Sequence, residues 1–150
     1  MADCLNTALG SPAVTVLVDV SAEFEKLTMF RNRTPASTRA DRAGSSTQLA
    51  KYRDATIFAN KSQGKGAWER HPAGDELVYI LDGAATLEVI SEGVSKSIPV
   101  SKGKLAIVSA GEWHRFHYPD GVTLLTITPG KSEYVRLDVS DPHSVEPERD

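Results

Sequence analysis

The chain has 150 residues, of which 40% are hydrophobic and 25% are charged, and its formal net charge is -3. This composition predicts a globular protein of about one domain, large enough to bury a core. The small negative charge provides no electrostatic basis for binding nucleic acid or an anionic membrane. The single cysteine, Cys4, excludes an intramolecular disulfide.

Residues 1–49 are interpreted as an N-terminal extension. The opening "MADCLNTALG" carries an acid and no base, unlike a signal peptide, and the following "AVTVLV" is too short to cross a bilayer. We therefore expect a cytoplasmic protein. The β-branched residues of 13–20 predict a strand, and 21–30 form a possible short helix with Ser21 as its cap.

The polar segment 31–48, "RNRTPASTRADRAGSSTQ", contains four arginines and almost nothing to bury. One interpretation is a solvated loop. The other is a mobile basic lid that meets an anionic substrate.

The remaining pattern is almost entirely that of β-strands. Short β-branched runs from "ATIFA" to "VTLLTIT" are separated by turn residues, among them Asp82-Gly83 and Asp120-Gly121. Regular short strands of this kind predict an all-β antiparallel sandwich or barrel. The C-terminal tail comprises 131–150, and its acidic, proline-containing end, 140–150, is expected to be disordered.

Ionisable residues are concentrated in "WERHPAGDELVYILDG", residues 68–83. Residues two apart in a strand share a face, so Glu69 and His71 point the same way, and Glu76 opens the next strand. A second hairpin, "SAGEW", delivers His114. Two histidines and one or two carboxylates that converge from neighbouring strands form a plausible site for Fe(II), Mn(II), Ni(II) or Zn(II).

The same alternation of faces predicts the lining of a pocket. Val78 and Ile80 share the face of Glu76, and Phe116 shares the face of His114. Carboxylates in a small apolar barrel repel each other, so when no cation is bound at least one is expected to stay protonated.

The first of these stretches resembles a motif of the cupin superfamily, in which His-x-His is followed by Glu and then Gly. Glu69, His71, Glu76 and Gly83 match that spacing, with gaps of "PAGD" and "LVYILD". Glu69 stands in the first histidine position, and the glycine that opens the motif has no counterpart in register.

The second stretch resembles the other cupin motif, which contains Gly, Pro-x-Gly, His and Asn. Gly103, Ser109, Gly111 and His114 follow its spacing, and Tyr118 stands where Asn would be. Ser109 and Tyr118 replace residues that shape turns more than they carry chemistry.

The resemblance implies a cupin-type jelly-roll β-barrel over 50–130, usually dimeric, so that a homodimer is expected. It maps the metal ligands to Glu69, His71, Glu76 and His114. Because glutamate is a competent oxygen ligand, Glu69 is either a ligand or a free catalytic base beside a metal held by the other three.

Three functions remain open at this point. The first is a metal-dependent enzyme acting on a small carbonyl or carboxylate substrate by Lewis-acid and general-base chemistry or by dioxygen chemistry. The second is a non-catalytic barrel that binds a metal or small ligand, as a sensor or store. The third is a structural, dimerising barrel without metal. Because the fold hosts many activities, it does not choose between them.

Overall fold

The computed structural model describes residues 14–149, and most of these residues lie in β-strands. One short helix, α1 (Val20–Glu25), precedes a 10-stranded sheet that curls into a half-barrel. The strands are β1 (Phe30–Arg33), β2 (Ser46–Tyr52), β3 (Ala55–Lys65), β4 (Trp68–Arg70), β5 (Glu76–Ser91), β6 (Val94–Ser101), β7 (Leu105–Val108), β8 (Trp113–Pro129), β9 (Glu133–Val135) and β10 (Glu148–Arg149). The predicted all-β class is confirmed.

Two long strands organise the sheet. The 16-residue β5 pairs with β6, β7 and β8, and the 17-residue β8 also pairs with β3 and β4. All these pairs are antiparallel. Every strand of the half-barrel except β1, β2, β9 and β10 therefore contacts β5 or β8 directly.

The sequence predicted turns at Asp82-Gly83 and Asp120-Gly121, whereas the structure continues β5 and β8 through both. The two sites face each other, because Gly83 pairs with Val122 where the register of the strands shifts. Gly83 has φ +81°, and a Cβ there would lie 2.3 Å from the carbonyl oxygen of Gly121. The glycines therefore permit a close approach and a bend of the paired strands, not a chain reversal.

The core is built from the inward faces of these strands. Its buried side chains are Val78, Ile80, Ala85, Leu87, Val89, Val100, Val108, Phe116, Tyr118, Val122 and Leu124. A second apolar cluster joins Trp68, Trp113 and Val135. Trp68 Nε1 donates to the carbonyl of Val139 at 2.8 Å, so this buried indole is also satisfied.

The strand predicted over 13–20 is wrong for the described residues. Residues 14–19 have no regular structure, and Ala13 lies outside the described part of the chain. β-Branched residues favour an extended backbone, but a strand also needs a neighbour to accept its hydrogen bonds. Here Leu17 is 96% exposed and no strand pairs with this segment.

The helix predicted over 21–30 is shorter than expected and begins earlier. Asp19, not Ser21, caps it by accepting a hydrogen bond from the Ala22 amide at 3.0 Å. Phe24 is its only buried residue, which leaves little apolar contact to extend it, and Phe30 already belongs to β1. Within residues 14–149 no helix is long and apolar enough to cross a membrane.

Both segments outside the predicted barrel add strands to the sheet. In 31–48 only the residues between β1 and β2 lack a strand, because β1 pairs in parallel and β2 antiparallel with β3. In the tail, β10 pairs with β9, and Arg149 Nε lies 3.1 Å from Glu133 Oε1. The described tail is thus ordered, contrary to prediction, because its backbone finds a sheet edge to pair with.

The contact between β5 and β8 can be tested with two alanine substitutions. Gly103 has a comparable φ of +84°, but a Cβ there would meet nothing within 4 Å. Gly83→Ala is expected to lower the free energy of unfolding by about 2–4 kcal/mol, and Gly103→Ala by about 1 kcal/mol, because only the first adds a clash to the strained backbone. Urea denaturation measures both, and equal losses would contradict the proposed close approach.

Candidate metal centre

Four ionisable side chains meet where β4, β5 and β8 come together. Glu69 lies in β4 and pairs with His114 of β8, while His71 follows β4 and Glu76 is the first residue of β5. Each residue offers one ligand atom, and these four atoms all lie within 4.8 Å of one another. The structure therefore brings together all four residues that the sequence grouped.

The loops that follow and precede these strands hold the cluster in position. The Gly111 amide donates to the carbonyl of His71 at 3.0 Å, and the Ala110 amide donates to Asp75 Oδ1 at 2.9 Å. The turn "PAGD" is thereby tied to the hairpin that delivers His114. Hydrogen bonds therefore connect the two segments that carry the separate sequence motifs.

Glu76 is the centre of the cluster. Its Oε1 lies 3.2 Å from His114 Nε2, and its Oε2 lies 3.1 Å from His71 Nε2. Glu69 Oε1 lies 3.5 Å from His114 Nε2. The His71 approach is close without having the alignment of a hydrogen bond, which is the arrangement expected of two ligands aimed at a common ion.

Both imidazoles are oriented by partners on their other nitrogen. His114 Nδ1 lies 3.1 Å from the carbonyl oxygen of Glu112, and because a carbonyl only accepts, this nitrogen carries a proton. His71 Nδ1 lies 2.8 Å from Ser132 Oγ. The Nε2 atoms are therefore the ones directed at the cluster, as in histidine ligands held by outer hydrogen bonds.

Two of the supporting residues were missed by the sequence reasoning. Ser132 orients His71, and the Thr128 hydroxyl donates to Glu76 Oε2 at 2.6 Å. Ser132 lies in the tail segment 131–150, to which the sequence analysis assigned no site residue. Thr128 carries no local signal, since only the pairing of β8 with β5 brings it to Glu76.

The burial of the cluster is uneven. The side chains of His71, Glu76 and His114 are 3%, 4% and 0% exposed, whereas that of Glu69 is 28% exposed. Glu69 therefore forms the outer side of the cluster. Three buried members and one accessible member leave a single side on which a small molecule can approach.

The electrostatics of the cluster favour a proton on imidazole over a proton on Glu76. Burial alone would raise the pKa of Glu76, but its close contacts with the imidazoles of His114 and His71 outweigh the burial and lower the pKa. Burial alone would lower the pKa of His114, but Glu69 and Glu76 raise it to about 10. The expectation that a carboxylate stays protonated is therefore not met at Glu76, because the neighbouring imidazoles favour its charged form.

The donor set fits a divalent ion. Two imidazole nitrogens and two carboxylates suit iron, manganese, nickel or zinc. Ligands on opposite sides of an ion bonded at about 2.1 Å are about 4.2 Å apart, so the observed spacing requires only a small contraction. His71 Nε2, buried and without a hydrogen-bond partner among the described residues, is free to ligate.

A cavity of about 410 Å³ opens beside the cluster and is lined by Glu69, His71 and Glu76. Phe116 also lines it, as the sequence placed it, whereas Val78 and Ile80 pack in the core and are not among the lining residues. A larger concavity of about 570 Å³ lies among side chains of β5, β6 and β7. It contains no member of the cluster, so the smaller cavity is the candidate site.

The comparison with known proteins places this site in a family. Residues 58–128 match the family model of the Cupin domain. Acireductone dioxygenases from two strains of Rhodopseudomonas palustris are 45% identical over 49 residues, which is 33% of this chain. The match covers 29% of the length of each of these relatives.

Solved structures share the fold at low sequence identity. A cupin-2 domain protein from Shewanella frigidimarina aligns with a TM-score of 0.55 and 17% identity, covering 75% of this chain and 94% of that one. A protein from Neisseria meningitidis aligns with a TM-score of 0.57 and 14% identity, covering 77% of this chain and all of that one. Together with the domain match over residues 58–128, they confirm the expectation from the two motifs: this part of the chain is a cupin domain, and the half-barrel has the jelly-roll fold of a small cupin.

Proposed function

We propose that His71, Glu76 and His114 bind one divalent metal ion, that Glu69 is the catalytic base beside it, and that the chain is an enzyme acting on a small organic molecule. The observation that carries the proposal is the convergence of four ligand atoms within 4.8 Å at the wall of a cavity. A structural barrel gains nothing from burying two carboxylates and two imidazoles together, since buried charge is costly unless it is compensated.

The different burial of the four cluster residues indicates the role of each one. His71, Glu76 and His114 are enclosed and oriented by Ser132, Thr128 and the Glu112 carbonyl, so they are suited to holding an ion in fixed geometry. Glu69 faces the cavity and is suited to accepting a proton from a molecule bound there.

A bound divalent ion supplies Lewis-acid chemistry and, in the case of iron, dioxygen chemistry as well. The short match to acireductone dioxygenases supports the second of these. It covers less than a third of those proteins, so their substrate is not transferred to this chain. The cavity of about 410 Å³ has the size of a pocket for a small organic ligand, and Phe116 gives it an apolar wall.

Metal content is the first test. Wild-type protein reconstituted in turn with iron(II), manganese(II), nickel(II) and zinc(II), then desalted, is expected to retain one of them near stoichiometrically by elemental analysis. Glu76→Gln keeps the size of the side chain but removes the central carboxylate, so it is expected to bind at least about 100-fold more weakly. His117→Gln, at an exposed histidine of the same strand, should bind as the wild type does. Absence of metal from the wild type under all four conditions would refute the proposal.

Metal binding should release protons. The pKa of His114 is raised to about 10, so its Nε2 carries a proton at pH 8 that the ion must displace. The apparent affinity should therefore fall at least about tenfold per unit as the pH is lowered from about 8 to about 6. Calorimetry in two buffers of different ionisation enthalpy measures the protons released, and a binding enthalpy independent of the buffer would contradict this assignment.

The role of Glu69 can be separated from that of the enclosed ligands. Glu69→Gln is expected to retain the metal while turnover falls by about 10²–10⁴-fold, because the amide cannot accept a proton. Turnover is followed by oxygen consumption and NMR on a panel of small carbonyl and carboxylate compounds. If Glu69→Gln loses metal to the same extent as Glu76→Gln, Glu69 is a ligand and not the base. A wild type that holds metal but converts no compound on the panel would support a binding protein instead.

A further inference from the structure

Arginines occupy the wall of the same cavity. Arg33, at the end of β1, and Arg42, in the loop before β2, both line it together with Glu69 and Glu76. Arg136 lines it too, but its charge is compensated by Glu148, 3.1 Å from its Nε. Within residues 14–149, neither Arg33 nor Arg42 forms an ion pair with a carboxylate.

The unpaired polar atoms of the protein are concentrated on this wall. Among the described residues, buried side-chain nitrogens and oxygens without a hydrogen-bond partner are Arg33 Nε, Arg42 Nε, Asn60 Oδ1, Ser62 Oγ and His71 Nε2. All of these residues line the cavity. The two arginine Nε–H groups are donors, and a buried donor without an acceptor costs free energy, so their position on one cavity wall indicates a site whose ligand accepts hydrogen bonds from both.

A close approach between the backbones of β1 and β3 positions Arg33. Arg33 pairs with Gly64, and a Cβ at Gly64 would lie 2.3 Å from the carbonyl oxygen of Arg33. Arg33 then donates to the buried Tyr118 hydroxyl at 2.6 Å. Because Tyr118 lies four residues after His114 on β8, the guanidinium is fixed further along the cavity wall that leads from the metal cluster.

The positive charges of the two guanidinium groups also repel each other. Burial lowers the pKa of Arg42, and the charge of Arg33 lowers it further. Like charges held side by side in a partly buried wall are unfavourable unless an anion lies between them. Arginine presents its donors as a planar fork that matches the paired oxygens of a carboxylate or phosphate group.

We infer that Arg33 and Arg42 form an oxyanion site that binds the carboxylate or phosphate group of a small organic substrate. The role of this group in orienting the substrate toward Glu69 rests on the proposed function. Anion binding itself does not, because none of the four residues of the metal cluster contributes to it. The inference narrows the substrate class to organic anions with a second functional group within reach of the cluster.

The test uses protein freed of metal by chelation and two probes, succinate and methyl phosphate, with neutral succinamide as the control. The side-chain Nε–H signals of Arg33 and Arg42, assigned by substitution, are followed by ¹H–¹⁵N NMR. These signals are expected to shift with one or both anions and not with succinamide. The probe that binds more tightly identifies the carboxylate or the phosphate as the preferred group.

Substitutions measure the contribution of each arginine. Arg33→Gln and Arg42→Gln are each expected to weaken anion binding by about 10–100-fold, because each removes a charge-assisted hydrogen bond. Arg53→Gln removes the same charge from an exposed position outside the cavity and should change it less than about twofold. Tyr118→Phe removes the partner of Arg33 but keeps both guanidinium groups, so it should retain most of the affinity.

The outcomes separate this inference from the proposed function. Anion affinities that are equal in the wild type and both arginine variants, or wild-type dissociation constants weaker than about 10 mM for both probes, would overturn the oxyanion site. So would Nε–H signals of Arg33 and Arg42 that shift with neither anion. Elemental analysis of the same variants reports on the metal site independently, and the arginine variants should retain the metal content of the wild type.

Discussion

The structure depends on the burial of the Glu76 carboxylate, which is unfavourable by itself and is compensated by neighbouring side chains. Glu76 is almost completely enclosed and is stabilised as a carboxylate by two imidazoles and the hydroxyl of Thr128. An isolated carboxylate in this position would cost several kcal/mol. The cluster therefore requires that two strands and a loop meet at one point, and the arrangement of the half-barrel can be understood as the way this is achieved.

The backbones of β5 and β8, which carry Glu76 and His114, are in close contact. At Gly83 and Gly121 the strands approach without side chains between them, and both bend there. A bend in the paired strands curls the sheet, so that Glu76 at one end of β5 comes to face His114 of β8 from within the same concave surface. The two strands that carry Glu76 and His114 thus make their close backbone contact at these glycines.

The cavity has two chemically different sides. One side presents the carboxylates and imidazoles, which favour a cation, and the other presents Arg33 and Arg42, which favour an anion. A site that holds a positive ion and also binds an organic anion needs this separation, because the arginines repel the cation and the carboxylates repel the anion. The charge distribution of the cavity therefore supports a polar, asymmetric ligand more than a simple apolar one.

The sequence by itself determined the β class and the four-residue cluster, because strand alternation and motif spacing are local properties of residues 68–83 and 103–114. Only the tertiary structure decided the rest, where the outcome depends on distant partners. Residues 14–19 are strand-like in composition but find no neighbour, whereas the tail finds one in β9. Likewise, the glycines of β5 and β8 resemble turns until the pairing of the strands is known, and Arg33 resembles a loop residue until β3 places it against Tyr118.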